Sequence, residues 1–251
     1  MVVFSCAPNW ESMLTCIYYA WTSRIGHQNI RLELEPIEQM SFLDEYRHID
    51  ADIDKAESVM FAVKNKISPY FYHQLAYCSM AYESDILDVL YHVMMLGFKY
   101  GTDSLKMYQF RDVMRYQEIH KRLSNEVCRF KEVVRFHEIQ KKLYVAHLEP
   151  KSRIVMSLGP VFMDRMPSEH WMIVDDVHRE AIIHPKDEMF YMKGLSDFEF
   201  ERLKETEEEN DGYTDLWKVF FDSIAIKERT NPKCQMSHMP LWARKHAVEF
   251  L

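Results

Sequence analysis

Four aspartates occupy positions from which a carboxylate could act as a general base. Asp164 lies in "FMDRMP", Asp175 and Asp176 close "WMIVDD", and Asp222 lies in "LWKVFFDSIAIKERT". Such a base would suit a hydrolase or a glycosylase-like enzyme acting on DNA, provided a pocket perturbs its pKa. For Asp164 the adjacent Arg165 offers a plainer role, as one half of an ion pair. His170, His178 and His184 could converge across an expected hairpin, since near-opposite strand positions bring side chains together. Surface histidines satisfied by their neighbours are the plainer reading of the three. No H-E-x-x-H run and no cysteine pair at zinc spacing occurs, so no metal site is expected. A Gly-rich phosphate loop, a G-x-S-x-G elbow and a three-cysteine cluster run are missing too, and no cofactor is expected.

The cations carry more information. The whole chain has a formal charge of −8, yet between Leu105 and Lys142 ten Lys/Arg stand against five Asp/Glu. Arg115, Arg122 and Arg129 recur every seven residues, and Arg111 precedes Arg115 by four. On an unbroken helix a step of seven drifts by only about 20°, so the four would share one side. Stems packed beside an apolar stripe would leave the guanidinium heads free to meet phosphates. Pairing with Asp112, Glu118 and Glu126 on the same helix is the competing role. The closing segment adds Lys227, Arg229 and Lys233. A nucleic-acid-binding face is therefore one reading, and a scaffold that binds only another protein is another.

These residues need a scaffold, and its class follows from composition. With 47% hydrophobic residues in 251, the chain can bury a sizeable core and is not a disordered one. Six glycines and nine prolines leave too few turns for an all-β fold. Helical spacing marks "NWESMLTCIYYAW", with Asn9 as N-cap, and "DIDKAESVMFAVKNKIS", with a capping-box-like start at Asp54. It also marks "SDILDVLYHVMMLGFKYG", from Ser84 to a stop at Gly97. The long basic segment has an apolar stripe at Ile119, Leu123, Val127, Phe130 and Val134, with a break expected near Ser124-Asn125. Cys128 on that helix reads as a small core residue.

The pattern changes after residue 142. "LYVAHLEP" reads as a strand, "SRIVMSLGPVFMDRMP" as a short helix kinked or interrupted at Gly159-Pro160, and "HWMIVDD" with "REAIIHP" as a β-hairpin with "EMFYMKG" as a third strand. Then come an acidic stretch at 197–211, expected to be solvated, and a closing helix from about Thr214. Its Leu216, Trp217, Phe220, Phe221 and Ile224 would dock on a core, and Asn231-Pro232 would stop it. The fold class is α+β: a mainly helical part over 1–142, then a small α+β part over 143–251. No apolar run approaches the roughly 20 residues that cross a bilayer, so no membrane contact is expected. The opening "MVVFSCAPNW" lacks a basic n-region, and the five cysteines are scattered. A reduced, cytoplasmic protein is the expectation.

The segment "LWKVFFDSIAIKERTNPKCQMSHMP" resembles the closing signature of a bacterial family described as DNA-metabolism proteins, a domain of otherwise unknown function. "DKAESVMFAVKNKIS", "GFKYG", "RFKEVVRF", "LYVAHLEP", "FMDRMP" and "WMIVDD" look like that family's successive blocks, in order. The resemblance implies a DNA-repair context and a radical S-adenosylmethionine protein as partner. Some members of the family also carry a uracil-DNA-glycosylase-like domain. Arg129, Arg135, Asp164, Arg165, Trp171, Asp175, Trp217, Lys218, Asp222, Lys227, Arg229, Asn231 and Pro232 match its pattern. Cys128 and Val161 stand where the pattern has histidines, and Glu132 where it has a glycine. The expected function is an accessory DNA-binding protein without catalysis of its own.

Overall fold

The computed structural model describes residues 1–37, 39–139, 143–206 and 231–246. Among them are eight helices and two sheets, an α+β protein. The chain divides into two compact units, Met1–Leu123 and Ser124–Leu251, and the division falls inside one long helix.

In the first unit the opening residues form β1 (Val2–Cys6), the central strand of a parallel sheet with β2 (Ile30–Leu34) and β3 (Glu45–His48) on either side. This sheet is not apparent in the sequence. A five-residue, mostly apolar run such as Val2–Cys6 has no period that separates strand from helix, and a central parallel strand buried on both faces shows no alternation. Helix α1 (Trp10–Thr22) has the expected cap, the Asn9 side chain accepting from the Ser12 N–H at 2.9 Å. Helix α2 (Ile53–Lys66) is capped by Asp52 rather than Asp54, Asp52 accepting from Lys55 N–H. Helix α3 (Pro69–Cys78) precedes α4 (Ile86–Tyr100), which begins after Asp85 rather than Ser84 and passes through Gly97 to end at Gly101. Gly97 is a contact residue: a Cβ there would lie 2.5 Å from Phe71 Cζ, so only glycine lets α4 approach α3 so closely. Gly101, at φ 73°, is the C-cap.

Helix α5 (Arg111–Val133) runs without the expected break. Ile119, Leu123, Val127, Phe130 and Val134 are buried as the stripe requires, whereas Cys128 is exposed, one residue off the stripe. A helix turns about 100° per residue, which carries the position after Val127 out of the core.

A prediction arises in this unit. His92 on α4 lies 3.4 Å from the Asp88 carboxylate, whose other oxygen accepts from Leu32 N–H. The bond to Asp88 raises the His92 pKa against the opposing effect of burial. A raised folded value means stability fully present below about pH 6.5 and lost as pH rises through the folded value. Proton NMR of the His92 ring should give a midpoint above ~6.5 that falls back in Asp88→Asn; a midpoint at or below ~6.5 in the parent protein would contradict the pairing.

The second unit is built on a five-stranded sheet ordered β4-β5-β6-β7-β8. Its strands are β4 (His137–Ile139), β5 (Leu143–Leu148), β6 (His170–Asp175), β7 (Glu180–His184) and β8 (Tyr191–Gly194). β5 and β6 are parallel, joined by the crossover helix α6 (Val155–Arg165); the other neighbours are antiparallel. α6 continues through Gly159-Pro160 as one element. A Cβ at Gly159 would meet the Phe190 ring at 2.4 Å, so this glycine serves close packing. The acidic stretch begins as helix α7 (Asp197–Thr206), and Phe200 plugs it into a core of Ile139, Val145, Val174 and Ala181. Asn231-Pro232 opens a helix, α8 (Pro232–His238). Asn231 accepts from Cys234 N–H, and Pro232 occupies the first turn, where its missing donor costs nothing. The expected closing helix with Trp217, Phe220 and Phe221 lies outside the described residues. No helix among the described residues is long and apolar enough to cross a membrane.

Candidate functional site

The strand register builds the site. β5 and β6 pair in parallel with Val145 opposite Met172 and His147 opposite Val174, and Asp176 N–H continues the ladder to Leu148 C=O. Side chains alternate along a strand. Val145, His147 and Glu149 therefore form one row and Met172, Val174 and Asp176 the row beside it, on the face that α7 covers at Val145 and Val174. The apolar residues end where the strands end. Past them, Glu149 and Asp176 stand side by side at the carboxyl ends of two adjacent parallel strands, the edge where open α/β sheets bind their ligands.

His147 is buried and its Nδ1 donates to Asp176 Oδ1 at 2.8 Å, which fixes that carboxylate. The C-terminal segment supplies the third group. His246 Nε2 lies 3.5 Å from Glu149 Oε1 and 3.9 Å from Asp176 Oδ2, and its ring is 6.3 Å from that of His147. Lys245 pairs with the other oxygen of Glu149. Glu149, Asp176 and His246 each offer one ligand atom, all within 4.8 Å of one another, so the group could hold a cation.

Beside this cluster the same segment carries Trp242. It packs on Phe130 of α5 with ring centroids 5.8 Å apart, and Arg129 and Lys151 lie over it at 6.0 and 5.6 Å. Glu126 holds the loop that presents Lys151. Its buried carboxylate accepts from Lys151 N–H at 2.6 Å and from the Ser152 hydroxyl at 2.7 Å. Among the described residues, Arg129 is thus one of two cations over a half-buried indole.

The candidates from the sequence separate. Asp175 is fully buried and accepts from Val177 N–H, His178 N–H and His178 Nδ1, so it locks the hairpin turn. Asp164 is exposed on α6, and Arg165 turns to the Phe162 ring and the Lys131 carbonyl. Asp222, Lys227 and Arg229 lie outside the described residues. In the first unit Arg111 is exposed at the start of α5. Arg115 is gripped by both oxygens of Asp85 at 2.7 and 2.9 Å, and also meets Glu118 at 3.2 Å. That grip holds the Asp85 carboxyl below the usual range. Arg122 is 3.6 Å from the buried Glu83 carboxylate, and Lys233 is exposed on α8. His170, His178 and His184 do not converge: His170 accepts from Lys186 N–H, His178 serves the turn, and His184 stacks on Trp171. Glu149, Lys151, Trp242 and His246 were not legible as a site. Their separations match no ligand motif, and only the strand register and the return of the C-terminal segment unite them.

A family model described as a domain of unknown function, DUF4130, matches residues 84–249, a span that includes every residue of this site. No curated protein matches the chain.

Proposed function

Since the chain belongs to this family of unknown function, its own residues must supply the reading, and we propose that it is an accessory DNA-binding protein of DNA repair or modification. The observation that carries this is Trp242 with Arg129 and Lys151 over its ring. Such a ring holds nucleic acid by stacking a base on its face once the two long cationic side chains swing from the ring to the phosphates. Of the arginine series, Arg129 serves such a role best, because Arg115 already has its charge satisfied by Asp85. The partner, a radical S-adenosylmethionine protein, follows from the resemblance of the closing block.

Fluorescence anisotropy with a short labelled duplex and a single strand, over a salt series, tests the binding. Trp242→Ala should weaken single-strand binding by about 5- to 100-fold, the effect of one lost stack. Trp242→Phe should recover most of it. Arg129→Ala with Lys151→Ala should lower the salt slope by about one per lost phosphate contact, similarly across sequences. A parent protein that binds neither probe at low salt sinks the reading. For the partner, a pull-down from the native host with and without nuclease should recover an iron–sulfur enzyme in both arms.

One observation favours a second reading, a DNA-acting hydrolase or glycosylase-like enzyme with an aspartate as general base. Asp176, oriented by His147 and adjacent to Glu149, has the placement such a base needs.

A further inference from the structure

We propose that Glu149, Asp176 and His246 bind a divalent first-row transition cation of the zinc or manganese class. Three features of the cluster lead there. The first is its donor set. Two carboxylates and an imidazole, brought from the end of β5, the end of β6 and the C-terminal segment, are ligands these cations accept, and three protein ligands leave positions open for water or a substrate oxygen.

The second is an orphaned atom. His246 Nε2 is buried and makes no hydrogen bond among the described residues, although it faces both carboxylates. Were the ring an imidazolium paired with those acids, Nε2–H would donate at about 2.7–2.9 Å. Its distances of 3.5 and 3.9 Å are too long for that. They suit a shared cation instead: ligand atoms about 2.0–2.1 Å from a tetrahedral metal lie roughly 3.4 Å apart. The third side of the triangle, between the two carboxylates, is bounded at 4.8 Å, and rotation of the half-exposed Glu149 and His246 side chains would draw the three atoms onto one ion.

The third is the surrounding shell. Asp176 has one oxygen committed to His147 Nδ1, leaving Oδ2 toward His246. Glu149 has one oxygen committed to Lys245, leaving Oε1 toward His246. Each ligand oxygen is thus aimed by a partner on its twin, the arrangement that orients metal ligands elsewhere. With Lys245 counted and His246 neutral, the group carries one net negative charge, which a divalent ion would reverse. The proposal stands independently of DNA binding, because the cation is measured without nucleic acid.

Full-length protein stripped with a chelator would be titrated with ZnCl2 and, separately, MnCl2 by calorimetry. The expected result is a single equivalent bound, with affinity reduced about 100-fold or more in Glu149→Gln and in His246→Ala. His147→Phe, a positioning change, should cost 10- to 100-fold. Exposed Cys128 and Cys234 could capture zinc by themselves, which is why the variants and the manganese arm matter. Circular dichroism melts of each chelated variant establish that it is folded; Glu149→Gln, at the half-exposed rim, serves if His147→Phe is not. The proposal is overturned by a parent protein that binds neither ion, or by binding unchanged in both Glu149→Gln and His246→Ala.

Discussion

Trp171→Ala should lower the stability of the second unit by about 3–5 kcal/mol, the range for deleting a large buried aromatic. The indole is fully buried at the start of β6. It stacks on His184 of β7 with centroids 4.7 Å apart and planes 6° from parallel, and its edges meet Phe136 and Phe162. Its Nε1–H donates to Met166 C=O at 3.2 Å, so truncation would both open a cavity and strip a carbonyl of its partner. A thermal melt should show a midpoint lower by roughly 10 °C. Trp171→Phe should recover the packing but not the hydrogen bond, and fall in between. A midpoint within about 1 °C of the parent would mean that this ring is not the centre of the core. The change also bears on the site, because β6 carries Asp176 at its far end and β7 is held to it through the Trp171–His184 pair.

Asp175→Ala is expected to cost about 3–5 kcal/mol, through hydrogen bonds and not packing. A buried carboxylate that accepts from two backbone N–H groups and a histidine leaves all three donors unsatisfied when removed, and hydrogen bonds to charged groups contribute about 1.5–3 kcal/mol each, with incomplete additivity. Asp175→Asn keeps the oxygen that serves Val177 and His178 N–H and should cost about half as much. This pair of variants separates a turn lock from a general base. A base replaced by its amide would leave the melting point near the parent value and abolish activity, whereas a lock loses stability in both variants. Asp176→Asn, one residue on, should do the reverse, sparing the fold and impairing cation uptake.

Much of the fold was legible where local rules decide. The hairpin of β6 and β7, the third strand β8 and the strand β5 lie where alternation and turn residues put them, and the Asn9 cap needs only one side chain and one turn of helix. The apolar stripe of α5 is likewise a matter of helical period. Local rules failed where a distant neighbour supplied the reason. Gly97 and Gly159 have a glycine's breaking tendency, yet Phe71 and Phe190 sit against them, and helices persist through both.

For the candidate site the division is sharper. Residue types alone limited the chemistry to carboxylates, imidazoles and cations, since no phosphate loop or cysteine cluster exists to offer anything else. Sequence also marked Arg129 and the "DD" pair. It could not tell Asp175 from Asp176, because a one-residue step on a strand moves a side chain from one face to the other. One faces inward and ties a turn; its neighbour meets His147 and Glu149. Nor could it bring His246 to residues 97 and 70 positions earlier in the chain, because no helical or strand period reaches that far. That meeting is set by the parallel register of β5 and β6 and by the path of the C-terminal segment, which only the tertiary structure decides.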